Sequence, residues 1–178
     1  DNSVIKKLGT LYYKIRSGLS AEKTAQEYGA FPYDPYSHTP KDRGAQQPGM
    51  TGQVKEEIIT RMGELGCQIQ NGRLVFDVSL LKVSEFLNEE NIFTYIDVDQ
   101  TFQSIPLKKH QLAFTYCQVP IVYTLCDDSW RHIITSKDGT IKEYDGNIVE
   151  QNLSGDLFSR SGQIKQINVN CPKSNFLF

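Results

Sequence analysis

The spacing of apolar positions changes once along the chain, close to Gly66, from a period near 3.6 to a period near 2. Val4, Ile5, Leu8, Leu11, Tyr12 and Ile15 share one broad helical face, and Ser17-Gly18 supplies a stop, so a first helix is predicted there. Ser20 suits an N-cap and Glu22 the first turn of a second helix, with Ala21, Ala25 and Tyr28 on one face and an end near Gly29. From Ala30 to Gly49, prolines 32, 35, 40 and 48 and the rings of Phe31, Tyr33 and Tyr36 exclude a regular element and suggest an ordered loop, residues 30–50. A third helix is predicted over Gln53–Leu65, where Val54, Ile58, Met62 and Leu65 form an apolar stripe and Glu57 stands four residues before Arg61.

Beyond Gly66 the pattern alternates. Cys67–Gln70 and Arg73–Asp77 flank Asn71-Gly72, a hairpin signal. Further strands are predicted at Phe93–Val98, Phe102–Leu107, Gln111–Tyr116, Val119–Leu125, Arg131–Ser136, Thr140–Tyr144 and Ile164–Val169. Asp138-Gly139, Asp145-Gly146 and Ser161-Gly162 mark turns between them. Leu80–Leu87 fits a strand or a helical turn, and Gly155–Ser159 fits a short helix. The pattern therefore predicts an α+β chain: a helical segment, residues 1–65, and an antiparallel, sandwich-like β-rich domain, residues 66–178.

Composition narrows the function classes. Nineteen Lys and Arg against 21 Asp and Glu leave a formal charge of -2, so no basic stripe is offered to phosphates and nucleic acid is not expected as a partner. The longest apolar runs, such as Val119–Tyr123, fall far short of the roughly 20 residues of a membrane helix, and no membrane partner is expected. The first residues lack an initiator Met and the apolar core of a signal peptide, which suggests a segment of a longer chain and leaves the compartment open. Cys67, Cys117, Cys126 and Cys171 are widely spaced and accompanied by only three histidines, so neither a metal nor another cofactor is expected. Cys117 and Cys126 could meet across a hairpin, although free thiols suit the spacing better. His110 and His132 sit near strand ends, where partly exposed side chains without a chemical role are expected.

The richest chemistry lies between Phe31 and Gly52. Tyr33, Asp34, Tyr36, His38, Asp42, Arg43, Gln46 and Gln47 combine aromatic faces with amides, carboxylates and an imidazole, a set suited to a polyol ligand. The same residues also suit packing of the loop onto its helices, and composition leaves both readings open. Glu56-Glu57 and Asp127-Asp128 are sequence neighbours that do not face one another, so neither pair is an acid–base couple by itself. Glycoside hydrolysis needs two carboxyl groups about 5–5.5 or 6.5–9.5 Å apart. No serine elbow, HExxH run or dinucleotide glycine signature occurs.

Three stretches, Phe31–Pro40, Gly44–Glu57 and Leu112–Pro120, together resemble the C-terminal part of bacterial six-hairpin, glycoside-hydrolase-like proteins. The resemblance implies that the helices are the last of an (α/α)6 toroid, followed by a bracing β-domain, with helix-connecting loops lining a saccharide pocket. It carries over Asp34, Tyr36, His38, Gln46, Gln47 and Lys55 as candidate substrate-binding groups of the pocket wall, and Glu56 as candidate catalytic base. A toroid takes about twelve helices, so this chain alone is expected to be inactive and to need the upstream helices of its parent as partners. The alternative expectation is a non-catalytic β-sandwich module that binds a saccharide or a protein.

Overall fold

A computed structural model of the chain describes residues 2–16 and 51–177, with side chains for residues 3–16 and 58–177. Two compact units divide it, Asp1–Arg61 and Met62–Phe178.

In the first unit, helix α1 spans Asn2–Arg16 and helix α2 spans Thr51–Glu64, crossing into the second unit at its last turn. Lys14 and Arg16 in the final turn of α1 complement the negative end of the helix dipole. The predicted first and third helices are thus present, the third starting at Thr51 rather than Gln53. The predicted second helix and the 30–50 loop fall outside the described residues. Val4, Leu8, Leu11 and Ile15, the stripe that predicted α1, are 50, 61, 54 and 56% exposed.

The second unit is built from nine strands. β1 (Cys67–Gln70) and β2 (Arg73–Phe76) form one antiparallel hairpin, and β3 (Asn91–Ile96) and β4 (Phe102–Leu107) a second. β5 (Gln111–Tyr116), β6 (Val119–Cys126), β7 (Arg131–Ser136), β8 (Ile141–Asp145) and β9 (Ile164–Pro172) form a five-stranded sheet in the order β5-β6-β9-β7-β8. Helix α3, Gln151–Phe158, precedes β9, and Val83–Glu85 is a 3₁₀ turn. Leu80–Leu87 therefore contains a helical turn and no strand.

The alternation that predicted these strands becomes burial. On β9, Ile167, Val169 and Cys171 point to one interior face and are fully buried. β6 instead buries the continuous run Val119–Tyr123, as expected of a strand flanked on both edges and covered on both faces. Phe76 and Phe114 meet the Tyr123 ring edge-on at 5.8 and 5.2 Å, and Leu74, Leu81, Ile134, Val149 and Leu157 complete the core. Each fully buried aliphatic side chain contributes about 1.5–3 kcal/mol.

Two backbone features position the rest. Asn71 and Gly72 both have positive φ, the geometry of a tight hairpin turn. Gly66 lies at φ +79°, and a Cβ there would stand 2.1 Å from the carbonyl oxygen of Asp77, so only glycine fits where α2 hands over to β1.

Two expectations are corrected. The five-stranded sheet is mixed, because β9 pairs with β6 in parallel while every other pair is antiparallel. His132 is fully buried rather than partly exposed, since it shares the inward face of β7 with Ile134. The cysteines follow the favoured expectation: Cys117 lies in the β5–β6 turn and Cys126 at the far end of β6, and all four cysteines are free.

Candidate functional site

The residues singled out in the sequence fall mostly beyond description. Asp34, Tyr36, His38, Gln46 and Gln47 lie outside the described residues. Lys55 and Glu56 are placed only as backbone, in the first half of α2. Downstream of them on the same helix, Ile58 and Ile59 are 55 and 72% exposed. Met62 and Leu65, which closed the predicted stripe, instead pack on the core of the second unit.

The described residues hold a different concave site, within the second unit. A cleft of about 230 Å³ opens where the β3–β4 hairpin meets the ends of β7 and β9. Pro120 and Ile164 are buried in its floor, and the Tyr95 ring, stacked on Phe93 with centroids 5.6 Å apart, forms part of its wall. A neighbouring hollow of about 410 Å³, bounded by α3 and the β7–β8 turn, shares Lys137 and Ile164 with it.

The cleft is organised around the Asp97 carboxylate. Its Oδ1 accepts from the backbone N–H of Asp99 and of Thr101, both at 3.0 Å. Its Oδ2 accepts from the Thr101 hydroxyl at 2.8 Å and from the Gln103 amide at 2.9 Å. The Thr101 N–H and hydroxyl hold this carboxyl below the usual range. Asp97 is thereby consumed inside its own turn and serves as a peg, with no lone pair left for a ligand.

Two amides hang on that peg. Gln103 Nε2 also donates to Thr101 Oγ1 at 3.0 Å, while Gln118 Nε2 donates to the Asp97 carbonyl at 3.1 Å. Gln118 stands at φ +66° in the β5–β6 turn, where a non-glycine residue costs roughly 1–2 kcal/mol, and its bond to Asp97 offsets part of that cost. Both amide nitrogens face acceptors, and among the described residues neither Oε1 atom accepts a hydrogen bond. The Tyr95 phenol keeps its proton, its pKa raised by burial and by the Asp97 charge. Lys137 and Lys165 complete the lining, and neither ammonium has an ion-pair partner among the described residues.

Sequence reasoning missed this cleft because its residues come from four separate stretches, 95–103, 118–120, 137 and 162–165. The one local signal was the Asp97–Thr101 turn, which reads as an ordinary hairpin connection.

His132 donates through Nδ1–H to the Gly146 carbonyl at 3.0 Å and stacks on Tyr144 with ring centroids 5.1 Å apart. Burial pushes the Cys67 thiol up to about 12 and the Cys171 thiol higher still, so both remain thiols. Asp127 pairs with Lys173 at 3.0 Å on the surface, a contact worth well under about 1 kcal/mol. No group of three metal-ligating side chains occurs among the described residues, and no helix among them is long and apolar enough to cross a membrane. No protein-family model and no curated protein matches the chain.

Proposed function

We propose that the chain is the C-terminal segment of a carbohydrate-active, glycoside-hydrolase-like enzyme, in which the helices supply one wall of a saccharide pocket and the β-rich, sandwich-like part braces them. The observation that carries this is the exposed apolar stripe of α1. Val4, Leu8, Leu11 and Ile15 recur at four-, three- and four-residue steps and are each at least half exposed, as a seam for further helices would be. Upstream helices of the parent chain, completing a toroid, are the occupants that the resemblance at Phe31–Pro40 and Gly44–Glu57 implies. Saccharide contacts then fall to Asp34, Tyr36, His38, Gln46, Gln47 and Lys55, with Glu56 as the base.

Leu8→Lys combined with Leu11→Lys tests the seam. In the isolated chain the pair should leave the melting temperature unchanged, whereas in the parent chain it should lower it by several degrees. Destabilisation of the isolated chain, or silence in the parent, would remove the seam.

A second reading, a non-catalytic β-rich module binding a saccharide or a protein, draws on one observation. Among the described residues, every buried residue of the hydrophobic core lies between Leu65 and Cys171, within the second unit.

A further inference from the structure

We infer that the cleft between the β3–β4 hairpin and the ends of β7 and β9 is a binding site for a single neutral pyranose ring. This goes beyond the glycoside-hydrolase reading, which places its sugar at the 31–52 loop, and gives the β-rich module of the second reading a specific site.

Size sets the first limit. At about 230 Å³ the cleft lies below the roughly 300–1,000 Å³ of sites for larger organic ligands. One sugar ring is of the right order, and a peptide or nucleotide is too large.

Chemistry sets the second. Buried Pro120 and Ile164, with the Tyr95 ring, offer an apolar surface for the C–H face of a pyranose. Around it stand groups of both polarities. The Oε1 atoms of Gln103 and Gln118 accept, because their nitrogens are held by Asp97 and Thr101. The ammoniums of Lys137 and Lys165 and the Tyr95 hydroxyl donate. A sugar hydroxyl is donor and acceptor at once, so it can use both kinds of partner.

Charge sets the third. Asp97 and Asp99 balance Lys137 and Lys165, so the lining is formally neutral and gives an anion no net attraction. Preorganisation is supplied by Asp97: its carboxylate holds the Gln103 amide and its backbone carbonyl holds the Gln118 amide before a ligand arrives, which lowers the ordering cost of binding.

The test is a titration of the ¹⁵N-labelled 178-residue chain with glucose, galactose, mannose and glucuronate, followed by amide shifts. The expected result is saturable movement of Val98, Gln103, Gln118, Gly162 and Lys165 with at least one neutral sugar, at a Kd on the order of 1 mM. Lys165→Ala and Tyr95→Ala should each weaken that binding at least tenfold, while Lys142→Ala on β8 leaves it unchanged. Lys165 is exposed, so its loss leaves the fold intact and its spectrum superimposable outside the cleft. Absence of movement in the cleft, or binding indifferent to both substitutions, would overturn the assignment. Tighter binding of glucuronate than of glucose would overturn its neutral character. Shifts confined to residues 31–52 would count against the cleft and for the helical pocket, so the two ideas fail separately.

Discussion

The hydroxyl of Tyr123, in the middle of β6, donates a 2.7 Å hydrogen bond to the backbone carbonyl of Leu65, at the end of α2 and 58 residues away. Leu65 sits just past the last turn of a helix, where carbonyls have no helical partner, and both residues are buried. Burial and the neighbouring Cys67 hold the phenol protonated at every working pH, so the donor is permanent. One sheet side chain thereby ends the helix and starts the β-rich unit.

Tyr123→Phe keeps the ring contacts with Phe76 and Phe114 but strips the Leu65 carbonyl of its donor. The expected loss is about 1–2 kcal/mol in urea unfolding, with an unchanged slope. A loss below a few tenths of a kcal/mol would mean that the carbonyl finds another donor.

Gly66→Ala should cost well over about 2 kcal/mol, because it adds a collision with the Asp77 carbonyl to an unfavourable φ. Gly139→Ala is the control. Its φ is similar, +85°, but nothing lies within 4 Å of the added carbon, so only the backbone term of roughly 1–2 kcal/mol remains. Equal melting temperatures for the two variants would refute the steric account.

His132 makes stability depend on pH. Burial lowers its pKa below the ordinary 6.5, opposed more weakly by the Gly146 carbonyl and by the Glu150 charge. In the window below 6.5 the unfolded chain binds the proton more readily than the folded one, so stability falls as pH falls toward the lowered value and is recovered as pH rises through 6.5. His132→Phe, which retains the stack on Tyr144, should flatten unfolding free energy against pH in the window below about 6.5. An unchanged slope would assign that dependence to other groups.

Local patterning carried the elements and little of their assembly. The alternation in β9 and the Asn71-Gly72 turn are decided within a few residues, so period and turn chemistry located them. The parallel β6–β9 pair joins segments separated by β7, β8 and α3, and no short-range signal encodes which edge of β6 receives β9. His132 shows a signal present but passed over: it is two residues from Ile134, hence on the same face, and that face is the core. The candidate sugar loop was legible as composition, since rings and amides cluster between Phe31 and Gly52. The described cleft was not, because Tyr95, Gln118, Lys137 and Lys165 converge only after the sheet has formed.

The most direct test of the proposed function is saccharide turnover, measured for the isolated chain, for the parent chain and for the parent carrying Glu56→Gln. The account predicts no turnover by the isolated chain, measurable turnover by the parent, and a loss of about 10²–10⁴ in kcat for the variant, as expected when a general base is removed. Turnover by the isolated chain, or a parent indifferent to Glu56→Gln, would contradict it.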